Sequence, residues 1–363
     1  MRLTEKIKAI EEEMKKTQIH KHTEHHIGLL KAKLARLKAE QEEMQRSKRC
    51  GSGFELKKSG DCTVAIIGPP SVGKSTILNM LTGARSKVGS YAFTTVTVVP
   101  GVLEYESAKI QILDLPGVIH GASSGTGKGK RVLSVARNVD MILLVVDVFQ
   151  PSQVEMLKRE LYEAGIRLNA RPPNVSIERT KQGGLGVTST CKLTRLSMNT
   201  AKAILNIHGI HHGKVIIRED ISDDELIDAV VGNRRYIPAV SVLNRIDLVD
   251  GDYLVAARRQ TGEDFIGISA CREINLDLLK DAIYNRLNLI RVYLKPRNCE
   301  ADFNEPLILR AGSTVSDACA KIHRKLCNEA KYALVSGTSV KFSPQRVGMD
   351  HVIHDGDIVT IVT

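Results

Sequence analysis

A short glycine-rich stretch has the residue types and the spacing that bind phosphate. Residues 68–75 fit the pattern G-x-x-x-x-G-K-[ST] and directly follow an apolar run at 63–67 that is typical of a buried strand. In such a loop the backbone N–H groups curl around phosphate oxygens, Lys74 can reach the β- and γ-phosphates, and the Ser75 hydroxyl can hold Mg²⁺. The residues predicted to contact nucleotide here are Gly68, Pro69, Pro70, Ser71, Val72, Gly73, Lys74, Ser75 and Thr76.

A second motif offers the metal and γ-phosphate contacts that a nucleoside triphosphate needs. The apolar run at 110–113 ends in D-x-x-G, where Asp114 can bind Mg²⁺ directly or through water and the Gly117 N–H can sense a γ-phosphate. Between the two motifs, Thr94 and Thr95 are placed to close over the metal when a third phosphate is present. The predicted metal ligands are Ser75, Thr95 and Asp114, and the predicted catalytic residues are Lys74, Thr95 and Gly117.

Two further motifs predict which base is bound. A strand-like run leads into N-x-x-D, formed by Asn244, Arg245 and Asp247, and a later run leads into the pair Ser269 and Ala270, which would back the base. The Asp247 carboxylate can accept hydrogen bonds from both N1–H and the N2 amine of guanine. Adenine lacks that donor pair, and sites built on such bonds discriminate by ~10⁴ or more. Each motif alone is weak, but five in order at strand ends strongly indicate GTP or GDP binding.

Taken together, the motifs resemble the Obg type of translation-factor-class GTPases and, within it, the developmentally regulated GTP-binding (DRG) proteins. The resemblance covers nearly the whole chain. Its further marks are the stretches 91–95, 114–122, 125–129, 171–174, 232–234 and 331–335. The family usually has Lys where Arg245 stands and an acidic residue where His120 stands. The aliphatic stem of Arg245 can still cover the base, so guanine specificity depends mainly on Asp247.

Slow GTP hydrolysis is the predicted activity. Val118 follows Gly117, where many GTPases place a water-orienting Gln, so an intrinsic rate on the order of 10⁻⁴ to 10⁻² s⁻¹ is expected. Two factors could accelerate GTP hydrolysis: a monovalent cation such as K⁺ near Ser71, which the resemblance suggests, or a partner such as the ribosome. The glycine-rich stretch 121–129 is the predicted mobile element.

Length and composition indicate the number of domains and argue against a membrane span and a zinc site. The 363 residues suffice for two or three domains, and the longest apolar stretch, 141–146, is strand-sized rather than membrane-sized. Seven cysteines without a C-x-x-C pair argue for reduced thiols in the cytoplasm and against a zinc site. We therefore expect a cytoplasmic protein whose metal is Mg²⁺.

The net charge of +11 predicts an anionic partner. Aromatic residues are only 4% of the chain, so we expect contact with the backbone or shape of structured RNA or the ribosome rather than base stacking. A regulatory or stabilising protein partner is also open. Two interpretations remain: a GTPase switch that engages ribosome or RNA in its GTP state, or an RNA-binding scaffold in which GTP is structural and hydrolysis incidental. The intact metal-site residues favour the switch.

Alternating strand and helix patterns predict an α/β fold with a P-loop, doubly wound G domain. The predicted helices are 74–82, 128–137, 152–164, 199–206, 223–231, 272–290 and 315–330, and a glycine-rich turn is predicted at 183–186. The predicted segments are 1–60, a helical hairpin and linker; 61–165, the first part of the G domain; 166–236, an inserted small α/β subdomain; 237–290, the second part of the G domain; and 291–363, a β-grasp domain that resembles the TGS domain.

The hairpin prediction comes from apolar residues at three- and four-residue steps. They are Leu3, Ile7, Ile10 and Met14 in one seam and Ile27, Leu30, Leu34, Leu37 and Met44 in the other. The neighbouring His20, His22, His25 and His26 lack a Cys or carboxylate framework for a metal. We interpret them as a solvated helix entry.

Overall fold

The computed structural model describes residues 3–18, 20, 23–47, 60–83, 99–116, 128–296 and 300–362. It forms two compact units, one of Met1–Gly53 with Gly165–Tyr236 and one of Phe54–Ala164 with Ile237–Thr363. Within the described ranges, no helix is long and apolar enough to cross a membrane. The predicted residues that lie outside the described ranges are His22, Thr94, Thr95, Gly117, Val118, His120 and the greater part of the stretch 121–129.

The described residues form α-helices and strands that we number in chain order. The helices are α1 (Leu3–Lys16), α2 (Glu24–Ser47), α3 (Lys74–Thr82), α4 (Lys128–Ala136), α5 (Gln153–Glu163), α6 (Met198–Ile207), α7 (Asp223–Val231), α8 (Gly251–Thr261), α9 (Leu276–Leu287), α10 (Val315–Ile322) and α11 (Arg324–Glu329). The strands are β1 (Cys62–Ile67), β2 (Val99–Tyr105), β3 (Ala108–Asp114), β4 (Met141–Asp147), β5 (Ile166–Leu168), β6 (Val175–Arg179), β7 (Leu185–Ser189), β8 (Gly213–Ile217), β9 (Arg235–Ile237), β10 (Ala239–Asn244), β11 (Phe265–Ile268), β12 (Leu289–Leu294), β13 (Leu307–Arg310), β14 (Tyr332–Ser336), β15 (Gln345–Val347) and β16 (Ile358–Val362).

A six-stranded sheet forms the centre of the G domain. Its order is β11-β10-β4-β1-β3-β2, and every neighbouring pair is parallel except β2 with β3. Strand β1 is buried along its whole length, as expected for a parallel strand covered by helices on both faces. The carboxyl ends of the parallel strands therefore meet at one edge of the sheet. The predicted mainly parallel, doubly wound α/β fold is confirmed.

The C-terminal part of the second unit is a five-stranded sheet of order β13-β12-β16-β14-β15 with α10 and α11. Its central pair, β12 and β16, is parallel and the remaining pairs are antiparallel, which is the arrangement of a β-grasp domain. Leu289 and Ile308 of this sheet belong to the hydrophobic core of the G domain. The ion pairs Arg310–Asp140 (2.5 Å), Lys321–Asp61 (2.7 Å) and Arg291–Glu106 (2.9 Å) also join the two parts.

In the first unit, α1 and α2 contact each other as the predicted hairpin does. Glu11 pairs with Lys38 at 3.1 Å, and Glu13 with His26 at 3.1 Å. Of the hairpin histidines, His25 is bonded instead to Thr200, with Nδ1 and Oγ1 2.8 Å apart. Met44, which was placed in the apolar seam, is 57% exposed. That placement was wrong, because the Met44 side chain is largely exposed rather than packed between the two helices.

The inserted subdomain is a three-stranded sheet of order β6-β8-β7 packed against α6 and α7. Helix α2 contacts both of these helices, and its fully buried Ala32 belongs to the same core. An added Cβ at Gly28 would lie 3.2 Å from the Thr200 methyl group. Gly28 and Ala32, two small residues one turn apart on α2, therefore let α6 approach closely. Burial lowers the pKa of Lys31, but its bonds to Asp224 and Asp223 outweigh burial and raise it.

Two predicted elements differ from the structure because the backbone breaks where the sequence pattern is continuous. The helix predicted from 315 to 330 is divided at His323, whose extended backbone ends α10 while its side chain caps α11. The glycine-rich turn predicted at 183–186 ends at Gly184, since Leu185 and Gly186 already pair with β8.

Helices after the guanine motif also differ. The helix predicted at 272–290 begins only at Leu276, because residues 269–274 close into a turn and Asn275 has a left-handed backbone. Helix α8 was not predicted. Ala257 is its single buried residue among those the structure describes, so its sequence has no apolar stripe.

Candidate nucleotide site

The phosphate loop connects β1 to α3 at the carboxyl edge of the six-stranded sheet. An added Cβ at Gly68 would lie 2.1 Å from the Val145 carbonyl oxygen, so only glycine lets the loop leave β1 beside β4. Gly73 has φ +89°, and a Cβ there would lie 2.5 Å from Asn244 Nδ2. Both glycines of the pattern are therefore required by backbone geometry.

Lys74 begins α3 and is buried. Its Nζ donates hydrogen bonds to the carbonyl oxygens of Pro69 (2.7 Å) and Gly68 (3.2 Å), which holds the ammonium inside the loop. Burial lowers the pKa of Lys74, and the nearby Asp114 carboxylate acts in the opposite direction. The charge is thus positioned within the concave side of the phosphate loop.

Asp114 ends β3 beside the loop and is 8% exposed. Its Oδ2 accepts a hydrogen bond of 2.5 Å from the Ser75 hydroxyl, whereas the buried Oδ1 has no hydrogen-bond partner among the described residues. Burial raises the pKa of Asp114, although the Ser75 bond and Lys74 lower it. A buried carboxylate oxygen next to a hydroxyl is the donor set that a small, hard cation prefers. The residues present therefore fit Mg²⁺.

Asn244, 3% exposed, connects the phosphate loop to the base-backing turn. Its Nδ2 donates to the Val72 carbonyl oxygen at 2.9 Å, and its Oδ1 accepts from the Ala270 N–H at 3.2 Å. One side chain at the end of β10 thus fixes the distance between two loops that are far apart in sequence. This is the geometry expected for a site that must hold phosphate and base simultaneously.

Asp247 lies in a short 3₁₀ turn after β10, and its side chain is 14% exposed. A hydrogen bond with the Ser269 hydroxyl, together with the Arg272 guanidinium 3.4 Å away, keeps the pKa of Asp247 below its usual value. The carboxylate is therefore ionised and accepts hydrogen bonds. Ser269 is almost fully buried and begins the turn that includes Ala270.

Arg245 has a left-handed backbone (φ +68°) that turns its side chain back over the loop. Its guanidinium donates to Asp147 Oδ2 at 2.6 Å and to the Ser71 carbonyl oxygen at 2.7 Å. Asp147 was missed from the sequence. The sequence feature that could have identified Asp147 is its position directly after the apolar run 141–146. In the sheet it lies beside Asn244.

The structure brings together every predicted nucleotide contact that it describes. The residues from Gly68 to Thr76, Asp114, Asn244, Arg245, Asp247, Ser269 and Ala270 all lie at the carboxyl edge of one sheet. Thr95 and Gly117 lie outside the described residues. Arg272, which contacts Asp247, was also missed, because an exposed arginine in a turn carries no periodic signal.

A doubly wound sheet with this loop, carboxylate and N-x-x-D turn defines the class of P-loop GTPases. Family models agree: residues 63–179 match one described as a 50S ribosome-binding GTPase, 182–289 match the C-terminal region of the MMR_HSR1 domain, and 290–363 match a TGS domain. The predicted C-terminal TGS domain is thereby confirmed.

Relatives identify the family within that class. The chain is 52% identical to a GTP-binding protein of Methanocaldococcus jannaschii over 100% of this chain and 93% of that one. It is 48% identical to GTP-binding protein 1 of Schizosaccharomyces pombe and 44% to human developmentally-regulated GTP-binding protein 2, over 100% of both chains in each case. The chain belongs to the developmentally regulated GTP-binding protein family and is a GTP-binding protein of the Obg-like class.

Among solved structures, the YchF GTPase of Schizosaccharomyces pombe aligns with a TM-score of 0.45 at 15% identity. The alignment covers 84% of this chain and 99% of that one.

Proposed function

We propose that the protein is a Mg²⁺-dependent GTPase that slowly converts GTP to GDP and phosphate and acts as a switch. The observation that supports this most directly is the buried Oδ1 of Asp114, which has no hydrogen-bond partner among the described residues and lies beside the Ser75 hydroxyl. A protein that bound nucleotide only as a structural element would not need to keep a buried carboxylate whose second oxygen is unsatisfied. The arrangement favours the switch over the scaffold.

In this proposal Ser75 and Asp114 hold Mg²⁺, together with Thr95. An ion held by these residues would offset the negative charge that develops on the phosphates during transfer. Lys74, already inside the loop, exchanges its two carbonyl partners for phosphate oxygens. The Gly117 N–H donates to the γ-phosphate and reports its loss. These residues position and stabilise charge, which is most of what phosphoryl transfer requires of a protein.

Guanine is selected by Asp247 and held against the turn at Ser269 and Ala270. Asn244 fixes the spacing between base and phosphates through its bonds to Val72 and Ala270. Arg245 replaces the more usual lysine of the motif, and its two hydrogen bonds brace the loop from the base side. The departure at this position therefore keeps a connection to the phosphate loop.

Hydrolysis by the isolated chain should be slow because Val118 cannot orient water. K⁺ near Ser71 or a partner is proposed to accelerate it. The proposed macromolecular partner is the ribosome or structured RNA, which implies action in the cytoplasm. The description of the family model over residues 63–179 and the net charge of +11 support this partner. We propose the five predicted segments as the domain organisation, with the G domain as the catalytic part.

The decisive experiment is GTP hydrolysis by the purified chain in Na⁺ and K⁺ buffers, with and without ribosomes. ATP and the Lys74→Ala variant are the controls, and circular dichroism verifies that the variant is folded. We expect hydrolysis stimulated by ribosomes or K⁺, absent with ATP and lost in the variant. GTP binding without hydrolysis under every condition would favour the scaffold. Turnover of tens per second by the chain alone would contradict the slow switch.

A binding measurement tests the metal site separately from turnover. Asp114→Asn keeps the shape of the side chain but removes the charge that would hold Mg²⁺. We expect Mg²⁺ to strengthen GTP binding to the wild type and to have little effect on the variant, by isothermal titration with and without EDTA. Equal strengthening in both proteins would remove Asp114 from the metal site.

A further inference from the structure

Charge is unevenly distributed along the inserted subdomain. Residues 166–218 contain nine Lys and Arg but one acidic residue, Glu178, whereas residues 219–228 contain six acidic residues. The overall charge of the subdomain is therefore modest, but the two signs are separated in sequence. The structure decides whether they neutralise each other in space.

The acidic residues of 219–228 are held in internal contacts. Glu219 accepts a hydrogen bond from the Asn174 N–H, and Asp220 from Thr194. The remaining contacts are Asp223 and Asp224 with Lys31, Glu225 with the cap residue Ser222 and with Arg195, and Asp228 with Arg167 and Arg234. These carboxylates thus engage the hairpin, a helix cap and three neighbouring arginines, and they leave Glu178 as the one acidic residue of 166–218 near the other cations of the insert.

Several of those cations converge at one end of the sheet β6-β8-β7. Arg179 lies opposite Gly213 in the register, and Lys214 opposite Glu178. The turn 180–184 packs against 212–213 through hydrogen bonds from the Thr180 and Gly184 N–H groups to the His212 carbonyl oxygen and Nδ1. Arg179, Lys181, His211, His212 and Lys214 are all exposed there. We name these five residues the cationic end.

Within the described part of the chain, the side chains of Arg179, Lys181 and Lys214 make no hydrogen bond or ion pair, although Glu178 lies opposite Lys214 on the neighbouring strand. Behind them, Arg36, Arg179 and Arg234 lie close enough to the half-buried His208 that, after burial, they lower its pKa. Arg36 and Arg234 are paired with Glu40 and Asp228, so the positive charge open to a ligand comes from Arg179 and Lys214 on two strands and from Lys181 in the turn. An anion bound here would relieve that repulsion.

The open face of the same sheet indicates the kind of partner. Ser176, Thr188 and Ile216 share this face with Gly186, Lys214 and the carboxylate Glu178, and no aromatic residue stands among its strand residues. Stable protein interfaces use apolar and aromatic anchors, whereas nucleic-acid interfaces are polar and strongly positive. Hydroxyl groups next to cations also suit the 2′-hydroxyls and phosphates displayed by helical RNA.

We propose that the cationic end of the inserted subdomain binds the phosphate backbone of helical RNA. This inference rests on the proposed RNA or ribosome partner and assigns that contact to a surface of the first unit, separate from the residues that would bind GTP. Recognition is electrostatic and shape-based, so it needs no base contacts and depends steeply on salt.

The test uses the full-length chain and fluorescence anisotropy with an RNA duplex of about 20 base pairs and a DNA duplex of the same sequence. The variant is Arg179→Gln, Lys181→Gln and Lys214→Gln together. The matched control is Arg171→Gln, Lys192→Gln and Lys202→Gln, which removes the same charge from exposed positions elsewhere on the same unit. Thermal melting and GTP binding verify that both proteins are folded.

We expect the variant to bind the RNA duplex at least about tenfold more weakly than wild type and to lower the slope of log K against log salt by about 2 to 3. The control should shift affinity by less than about threefold. Equal weakening in variant and control, or equal wild-type affinity for RNA and DNA, would overturn the proposal. Failure of wild type to bind RNA while it still hydrolyses GTP would overturn it without affecting the proposed GTPase.

Discussion

The nucleotide site and the cationic end use polar residues in opposite ways. Lys74, Asp114, Asn244 and Ser269 are each no more than 8% exposed, and each is hydrogen-bonded within the site. At the cationic end, Arg179, Lys181 and Lys214 are exposed and lack such partners in the described structure. Buried and pre-bonded groups select a small ligand by shape and hydrogen bonding. Exposed cations without partners suit a long polyanion.

Burial explains why one region should be specific and the other tolerant. A buried acceptor left facing the wrong base loses its hydrogen bonds with water and gains none. A surface cation keeps its hydration whichever phosphate it meets, so it cannot distinguish sequence. Mutations and salt should therefore affect the two regions very differently.

The largest expected effect is at Asp247. Asp247→Asn presents an amide donor to the guanine N1–H and N2 amine, and the preference for GTP over ATP should fall by up to about 10⁴. Competition binding with labelled GTP against GTP and ATP measures the ratio. Asp252→Asn, an exposed carboxylate in the next helix, is the control. Unchanged selectivity in Asp247→Asn would refute the base assignment.

Salt concentration should weaken RNA binding at the cationic end much more than GTP binding at the nucleotide site. Raising NaCl from about 50 to about 200 mM should weaken RNA duplex binding by about a hundredfold if about four phosphates are contacted. GTP affinity should change by less than about threefold, because its partners are buried and weakly screened. Parallel titrations at constant Mg²⁺ measure both. Equal salt dependence of GTP and RNA affinity would contradict the claim that one region binds through buried groups and the other through exposed cations.

Asn244→Ala tests whether the nucleotide site is pre-organised. Removing the side chain leaves the Val72 carbonyl and Ala270 N–H without partners in the interior, at a cost of about 1 to 3 kcal/mol. GTP affinity should fall by about tenfold to a hundredfold. Asn138→Ala, which removes one exposed hydrogen bond, should leave affinity unchanged. Similar losses in both variants would show that Asn244 does not connect the two loops.

The smallest effect on ligand binding concerns the packing of the hairpin against the inserted subdomain. Ala32→Leu inserts bulk where α2 meets α6 and α7, and we expect about 1 to 3 kcal/mol less protection of α2 in hydrogen exchange. Lys33→Leu, one residue away and exposed, is the matched control. GTP binding should be unaffected by either. Normal protection in Ala32→Leu would mean that the hairpin does not depend on this contact.

Elements with strong local patterns were predicted closely. The apolar runs at 63–67 and 141–146 are strands that begin or end within a residue of their prediction, and α7 matches the predicted 223–231. Helix α8 was missed because a peripheral helix that buries one alanine has no apolar periodicity. The short strands β5 to β9 were missed because three to five residues are too few to show alternation.

The candidate site likewise contains residues that local sequence predicts and residues that it does not. Its glycines, Lys74, Ser75 and the N-x-x-D residues follow from spacing, since the chemistry of a phosphate loop needs those types in that order. The place of Asp147 at the end of an apolar run was a signal, but its ion pair with Arg245, 98 positions away, depends on strand register and not on local sequence. Arg272 lies in an exposed turn and carries no such signal. The attachment of α2 to the insert was also unexpected. Gly28 and Ala32 look like ordinary helix residues until another helix packs on them.

The sequence by itself determined the order of the motifs, the nucleotide class and the alternation that requires a parallel sheet. These depend on residue chemistry and backbone preference over a few positions, which local sequence encodes. Only the tertiary structure decided that one Asp114 oxygen has no hydrogen-bond partner among the residues it describes, that Arg245 reaches Asp147, and that the carboxylates of 219–228 are used internally. Those facts depend on which distant groups exclude water from one another, and that is determined when the chain packs.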